Sequence, residues 1–223
     1  MGTWMSLFFV VCFFNIWFGV LDYWRLNQNN RIQGPKYPDK TLVLTALKNQ
    51  IVDNLLVPVF AFLGYDLFKY FGLSVTSPLP SLPQFLWHFL VSAMIDDTLF
   101  YWFHYLLHHP KLYWIHKQHH QFEITIAIAS QYAHPIEAFL ANMLPTVLGP
   151  LLLGTHAVTF WLILILKMWQ TIEAHSGYIV FFSPWSLLPI MGGSKHHEYH
   201  HSHFRGNYGG YFRFWDYLMG TDM

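Results

Sequence analysis

Residues 196–201 read His-His-Glu-Tyr-His-His, within the segment GGSKHHEYHHSHFRGNYGG at positions 192–210. Two interpretations fit this stretch. His197-Glu198-x-x-His201 is the zinc signature of a metalloprotease, in which the imidazoles lie one helical turn apart and the glutamate is the base. His197-x-x-His200-His201 instead places three imidazoles on one helical face, with an incidental glutamate. The two interpretations predict different enzymes, and the rest of the chain has to decide between them.

The composition indicates a membrane protein. Of the 223 residues, 54% are hydrophobic, 20% are aromatic and 11% are charged, whereas a soluble domain has about 25% charged residues. The formal net charge is zero, which argues against nucleic acid as a partner. The single cysteine, Cys12, has no second cysteine in the chain for a disulfide.

Five apolar runs predict an all-α membrane bundle of about four to five helices. They span residues 4–21, 42–63, 85–107, 136–153 and 157–172. The first run has no basic segment before it and no cleavage motif after it, so we expect an anchor and not a signal peptide. We expect one domain over residues 1–223, with membrane anchor helices in 1–84 and the histidine-rich catalytic part in 85–223.

The charges predict the orientation of the bundle. If all five runs cross the membrane, the histidine-rich segments and the loop at residues 22–41 share one side. That side carries nine basic residues: Arg25, Arg31, Lys36, Lys40, Lys111, Lys117, Lys195, Arg205 and Arg213. The opposite loop, residues 64–84, carries only Lys69. The positive-inside rule therefore predicts a histidine-rich cap on the cytosolic side or its matrix equivalent.

The histidine spacing predicts a metal centre. One motif has imidazoles at i and i+4, two motifs have the pattern His-x-x-His-His, and two further histidines adjoin the ends of apolar runs. The ten candidate ligands are His104, His108, His116, His119, His120, His134, His175, His197, His200 and His201. Neutral imidazole suits iron, zinc or copper. Because a tetrahedral zinc uses three or four protein ligands, ten nitrogens predict two metal ions.

Other residues near these motifs are expected to support the centre. His109, His196 and His203 flank the motifs and could orient ligands or bind metal themselves. Glu137, Glu173 and Glu198 are plausible carboxylates that fix imidazole tautomers. Asp96 and Asp97 lie within the third apolar run, where an acidic residue suggests either function or helix packing.

Six motifs, in this order, resemble the fatty acid hydroxylase and sterol desaturase superfamily. They are YWFHYLLHHP (101–110), HKQHH (116–120), YAHPIE (132–137), EAHSGY (173–178), HHEYHHSHFRGNYG (196–209) and WDYLMGTD (215–222). The arrangement is most similar to the methylsterol oxidase and cholesterol hydroxylase branch. The resemblance implies a cytosolic histidine cap holding two iron ions and electrons from cytochrome b5 and its NAD(P)H reductase.

This resemblance predicts an oxidoreductase of the endoplasmic reticulum membrane that uses dioxygen to hydroxylate or desaturate a sterol or fatty-acyl lipid. Two alternatives remain at this point. The chain could be a silent subunit of a larger membrane complex, for example in the mitochondrial inner membrane, that keeps its metal site, with zinc in place of iron, for stability. It could also be an intramembrane protease that uses Glu198.

Overall fold

The computed structural model describes residues 2–223, apart from the side chain of Thr3. This part of the chain is helical and contains no β-strand, only isolated bridges. The helices are α1 (Gly2–Tyr23), α2 (Lys40–Leu63), α3 (Tyr65–Tyr70), α4 (Leu82–Leu107), α5 (Tyr113–His116), α6 (Pro135–Glu137), α7 (Leu144–Leu152), α8 (Ala157–Ala174), α9 (Pro184–Leu187), α10 (Gly193–His203) and α11 (Phe214–Met219). A π-helix, Ala138–Met143, joins α6 to α7.

Four of these helical segments are long and apolar enough to cross a membrane, namely Trp4–Tyr23, Lys40–Leu63, Pro135–Leu152 and Ala157–Ala174. Large apolar side chains on their outer faces are exposed, such as Ile16 at 65% and Phe62 at 80%. Such surfaces are favourable against lipid and unfavourable against water. The predicted bundle of about four to five membrane helices is therefore confirmed. The 26-residue helix α4 is not among the four, and it carries the buried Asp96 and Asp97.

Two close helix pairs form the frame of the bundle. In one pair, α1 packs against α8 through a core that includes Val11, Phe18 and Ile172. In the other pair, α4 packs against α7. A Cβ atom at Gly149 would lie 2.6 Å from Cα of Ser92, so a glycine is needed where these backbones approach, as is common between membrane helices.

The ends of these helices meet the short helices of the histidine-rich cap, the part of the fold that carries the histidine motifs. His134 caps the N-terminus of α6, and Pro135 follows at the first helical position, where its missing N–H costs nothing. Helix α10 ends at His203, and the next residue, Phe204, adopts a left-handed conformation with φ of 59°. Backbone carbonyls within α8 and in the loops that follow residues 121, 131 and 203 face the histidine side chains.

Candidate metal centre

Five imidazoles form a first group, consisting of His104, His108, His116, His120 and His200. Their ligand atoms all lie within 4.8 Å of one another. The Nε2 atoms of His104 and His116 are 3.1 Å apart, and those of His120 and His200 are also 3.1 Å apart. Four members come from residues 104–120, and His200 is supplied by α10.

Four buried imidazoles form a second group, consisting of His119, His175, His197 and His201. Nε2 of His175 lies 3.1 Å from Nε2 of His119 and 2.8 Å from Nε2 of His197. Nε2 of His201 lies 3.1 Å from that of His197. The rings of the two groups contact each other, since the ring centroids of His120 and His201 are 4.9 Å apart.

The two His-x-x-His-His motifs are divided between the groups in opposite ways. In the motif at residues 116–120, the first and last histidines join the five-histidine group and the middle one, His119, joins the other. In the motif at residues 197–201, His197 and His201 join the four-histidine group and His200 crosses to the first. Each motif therefore contributes to both groups and links them.

Backbone carbonyls fix the tautomers of five imidazoles. A carbonyl can only accept a hydrogen bond, so the Nδ1 atom facing it carries the proton and Nε2 keeps its lone pair. The Nδ1-to-carbonyl distances are 2.9 Å for His104 to Tyr208, 3.2 Å for His119 to Tyr132, 2.7 Å for His175 to Thr171, 2.7 Å for His200 to Gly206 and 3.0 Å for His201 to Phe122.

This tautomer assignment shows that the donor set fits metal ions. His119 and His175 both carry the proton on Nδ1, so the 3.1 Å contact between their Nε2 atoms joins two lone pairs and cannot be a hydrogen bond. Neutral imidazoles that converge in this way repel one another unless a cation accepts the lone pairs. Metal–nitrogen distances of about 2.0–2.1 Å give nitrogen–nitrogen separations of this size. The nine imidazoles thus suit two transition-metal ions, the number that the sequence predicts.

Burial keeps these imidazoles neutral. Removal from water lowers the pKa of His119 from 6.5 to about 4 and that of His175 to about 3. Burial also lowers the pKa of His197, with further lowering from neighbouring imidazoles. Neutral imidazole is the form that binds metal, so the environment favours the binding form at neutral pH.

The tenth predicted ligand, His134, lies outside both groups. Its Nδ1 accepts a hydrogen bond from the backbone N–H of Ile136 at 3.2 Å, and its ring contacts Trp114. Of the flanking histidines, His109 and His203 are exposed. His196 is buried, with Nε2 3.5 Å from Oδ2 of Asp216 and 3.6 Å from Oδ1 of Asp222.

The three predicted carboxylates occupy different environments. Oε1 of Glu137 lies 2.8 Å from Nδ1 of His116, so this carboxylate can orient a histidine of the first group. Glu173 accepts a hydrogen bond from Nε1 of Trp169 at 2.9 Å. Glu198 accepts hydrogen bonds from Gln33 and Thr125, and burial raises its pKa.

A cavity adjoins both groups. Imidazoles from each group, including His104 and His175, form part of its wall. Its other polar lining residues include Lys167, Gln170 and Asn142, and the buried Oγ of Ser130 and Oε2 of Glu137 have no hydrogen-bond partner. Buried polar atoms of this kind bind ordered water or a polar ligand group. The cavity therefore brings polar and apolar lining residues together beside the candidate metal centre.

Sequence reasoning missed Lys167, whose Nζ lies 2.9 Å from Oδ2 of Asp96 in the buried interior. A lysine within an apolar run is the signal that could have identified it. Asp97 accepts hydrogen bonds from the backbone N–H groups of Tyr211 and Phe212, at 2.8 and 3.0 Å. Both acids of the third run therefore have packing partners.

The fold and the site define a class of membrane-embedded helical proteins with two adjoining imidazole groups. The model of the fatty acid hydroxylase family matches residues 89–221, so the chain belongs to that family, and the resemblance read from the sequence is confirmed. No solved structure matches the chain.

Three relatives place the chain within the sterol desaturase branch. A candidate methylsterol monooxygenase of Dictyostelium discoideum is 36% identical over 224 aligned positions, covering 99% of this chain and 83% of that protein. A very-long-chain aldehyde decarbonylase of Oryza sativa subsp. indica is 36% identical, covering 92% and 76%. Methylsterol monooxygenase 2-2 of Arabidopsis thaliana is 38% identical, covering 71% and 61%. The family and these relatives support an oxidoreductase that acts on a lipid in a membrane.

Proposed function

We propose that the chain is a membrane-bound di-iron oxygenase that hydroxylates or desaturates a sterol or fatty-acyl lipid. The observation that carries this proposal is the pair of adjoining imidazole groups with Nε2 lone pairs directed inward. Nine neutral nitrogen ligands fit two ions of iron, and zinc is the alternative metal. A bound iron pair would supply the reduction of dioxygen and the oxidation of a lipid C–H bond.

Backbone carbonyls and a carboxylate orient the imidazoles for this chemistry. Carbonyls of Tyr208, Tyr132 and Thr171 hold imidazole protons on Nδ1, which leaves Nε2 free to bind metal. The Glu137 carboxylate lies beside His116, with Oε1 2.8 Å from Nδ1, and can orient this ring by its charge. Burial of both groups excludes bulk water, which protects a reactive centre from side reactions.

The arrangement favours this function over a protease. His197 and His201, the imidazoles of the protease signature, share their group with His119 and His175. Glu198, the base in that signature, is bonded to Gln33 and Thr125. The oxygenase proposal uses all nine convergent imidazoles, whereas the protease would need only a few of them.

The substrate, the electron donor and the location follow from the same proposal. The relatives are named for methylsterols and very-long-chain aldehydes, which supports a sterol or fatty-acyl lipid here. We propose a cytochrome b5-type donor with its NAD(P)H reductase, and the endoplasmic reticulum membrane with the histidine cap on the cytosolic side. The excess of basic residues on that side supports this orientation for a bundle in which α4 also crosses the membrane.

Lipid analysis of cells that express the chain tests the proposal. Wild-type chain should produce hydroxylated or desaturated lipids with dioxygen consumption. His200→Ala and His119→Ala, which each remove one ligand from a different group, should abolish both. Unchanged lipids in wild-type cells, or equal products from the alanine variants, would refute the proposal.

A further inference from the structure

The segment between α1 and α2 pairs with the chain that follows His175. The backbone N–H of Ile32 donates to the carbonyl of Gly177 at 2.9 Å, and the N–H of Ile179 donates to the carbonyl of Asn30 at 2.8 Å. Residues 30–32 therefore lie antiparallel to residues 177–179. The paired strip, residues 177–179, begins two positions after His175, a member of the four-histidine group.

Gln33 extends the same contact to two other histidine-bearing segments. Its Nε2 donates to the carbonyl of Glu123 at 2.8 Å and to Oε1 of Glu198. Oε2 of Glu198 accepts a hydrogen bond from Thr125. Thr125 is fully buried and Glu198 is 2% exposed, so this carboxylate depends on these protein donors and cannot use water instead.

Arg31 fixes the position of the segment. Its Nη1 lies 2.9 Å from Oδ1 of Asp22, its Nε and Nη2 donate to the carbonyl of Lys36, and its side chain is 1% exposed. A Cβ at Gly177, where φ is +74°, would lie 2.7 Å from the carbonyl oxygen of Thr125 and 3.3 Å from Nη1 of Arg31. The contact therefore requires glycine at position 177, where the two segments pack closely.

We infer that residues 30–33, which lie outside the matched family region, position the four-histidine group, and that Gln33 is the positioning residue of its α10 histidines. This inference rests on the proposed function, because it concerns the binding of two metals. His175 precedes the paired strip, and His197 and His201 lie on either side of Glu198 on α10. The five-histidine group takes four of its members from residues 104–120. His200 also lies on α10, but the other four ligands of its group come from residues 104–120, so loss of Gln33 should weaken the four-histidine site far more than the five-histidine site.

Metal analysis of the purified full-length chain, reconstituted with Fe(II), tests this inference. Wild type should hold about two metal ions per chain, and Gln33→Ala should hold about one, because the ion at the four-histidine group is released faster to a chelator. Asn29→Ala is the matched control, because Asn29 is exposed in the same loop, and it should retain the wild-type metal content.

Substitutions at Thr125 provide a second, independent test of the inference. Thr125→Val removes the hydroxyl that bonds Glu198 and should halve the metal content, whereas Thr125→Ser keeps the hydroxyl and should restore it. A merely structural role would lower thermal stability and the occupancy of both sites together.

The outcomes separate the two proposals. If wild type holds two metals and Gln33→Ala and Thr125→Val also hold two with wild-type release rates, the inference is wrong and the proposed function stands. Parallel loss of both metals in these variants would also overturn the inference. A wild-type chain that binds no metal would refute the proposed function itself.

Discussion

At the scale of the residue, the hydrogen-bond partner of Nδ1 determines whether Nε2 of the same histidine can bind metal. A carbonyl at Nδ1 leaves Nε2 as a ligand in the case of His104, His119, His175, His200 and His201. His116 differs, because its Nδ1 faces a carboxylate at 2.8 Å. Such partners fix the ring orientation and raise the basicity of the ligand.

Glu137 provides a test at this scale. Glu137→Ala removes the carboxylate that lies 2.8 Å from Nδ1 of His116, and we expect metal affinity to fall about 10- to 100-fold. Glu137→Gln keeps a polar oxygen at this position, so its effect should be smaller. Competition with a chelator measures the affinity, and equal values for wild type and both variants would contradict this role.

His134 and His116 form a matched pair of substitutions. His134→Ala removes a helix cap that lies outside both groups, so it should cost about 1 kcal/mol of stability and leave the metal content unchanged. His116→Ala removes a member of the five-histidine group and should lower the metal content. Metal loss in purified His134→Ala comparable to that in His116→Ala would restore His134 as a ligand.

At the scale of the element, helices α4 and α8 are joined by a charge pair. Nζ of Lys167 on α8 lies 2.9 Å from Oδ2 of Asp96 on α4 and 4.6 Å from the ring centroid of Tyr211. His104 lies at the end of α4 and His175 follows α8, so the pair holds together two helices that carry ligands of different groups.

Removal of one partner of this pair should destabilise the bundle. Lys167→Met leaves the carboxylate of Asp96 buried without its cation, at a cost of about 3–5 kcal/mol. The double variant with Asp96→Leu removes the unpaired charge and should recover much of that loss. Unfolding in detergent measures both, and a double variant less stable than the single one would contradict the pairing.

At the scale of the whole molecule, the sequence predicts most of the centre because its signals are local. Helical spacing and apolar runs identify the bundle and the nine histidines that converge. The spacing does not predict that His119 and His200 cross to the opposite group, because that depends on how the two motifs face each other. The sequence around His134 resembles that around the other histidines, and only the fold shows that its side chain caps a helix.

Contacts between distant segments leave no local signal. Gln33 and Glu198 are 165 residues apart in the chain, and no pattern around either residue predicts that they meet. The sequence accordingly assigns residues 1–84 to an anchor alone, whereas residues 30–33 contact the histidine cap. Lys167 and Asp96 are different, since charged residues within apolar runs can be recognised before their pairing is known.

Acid should destabilise the metal-free molecule. The pKa of His119 is about 6.5 in the unfolded chain and about 4 in the folded chain, and that of His175 falls to about 3, because burial disfavours the charged ring. The unfolded chain therefore takes up protons first, so stability is intact above pH 6.5 and declines as the pH falls through about 4 toward about 3. Unfolding of chelator-treated protein across this range measures the effect, and stability that rises with acid would contradict it.

The iron content of the purified wild-type chain, measured together with its protein concentration, tests the central claim most directly. The two imidazole groups predict about two iron ions per chain after reconstitution with Fe(II). His200→Ala and His119→Ala should each lower this ratio, since each removes a ligand from a different group. A wild-type ratio near zero, or a ratio unchanged by both substitutions, would contradict the assignment of these histidines to a two-metal centre.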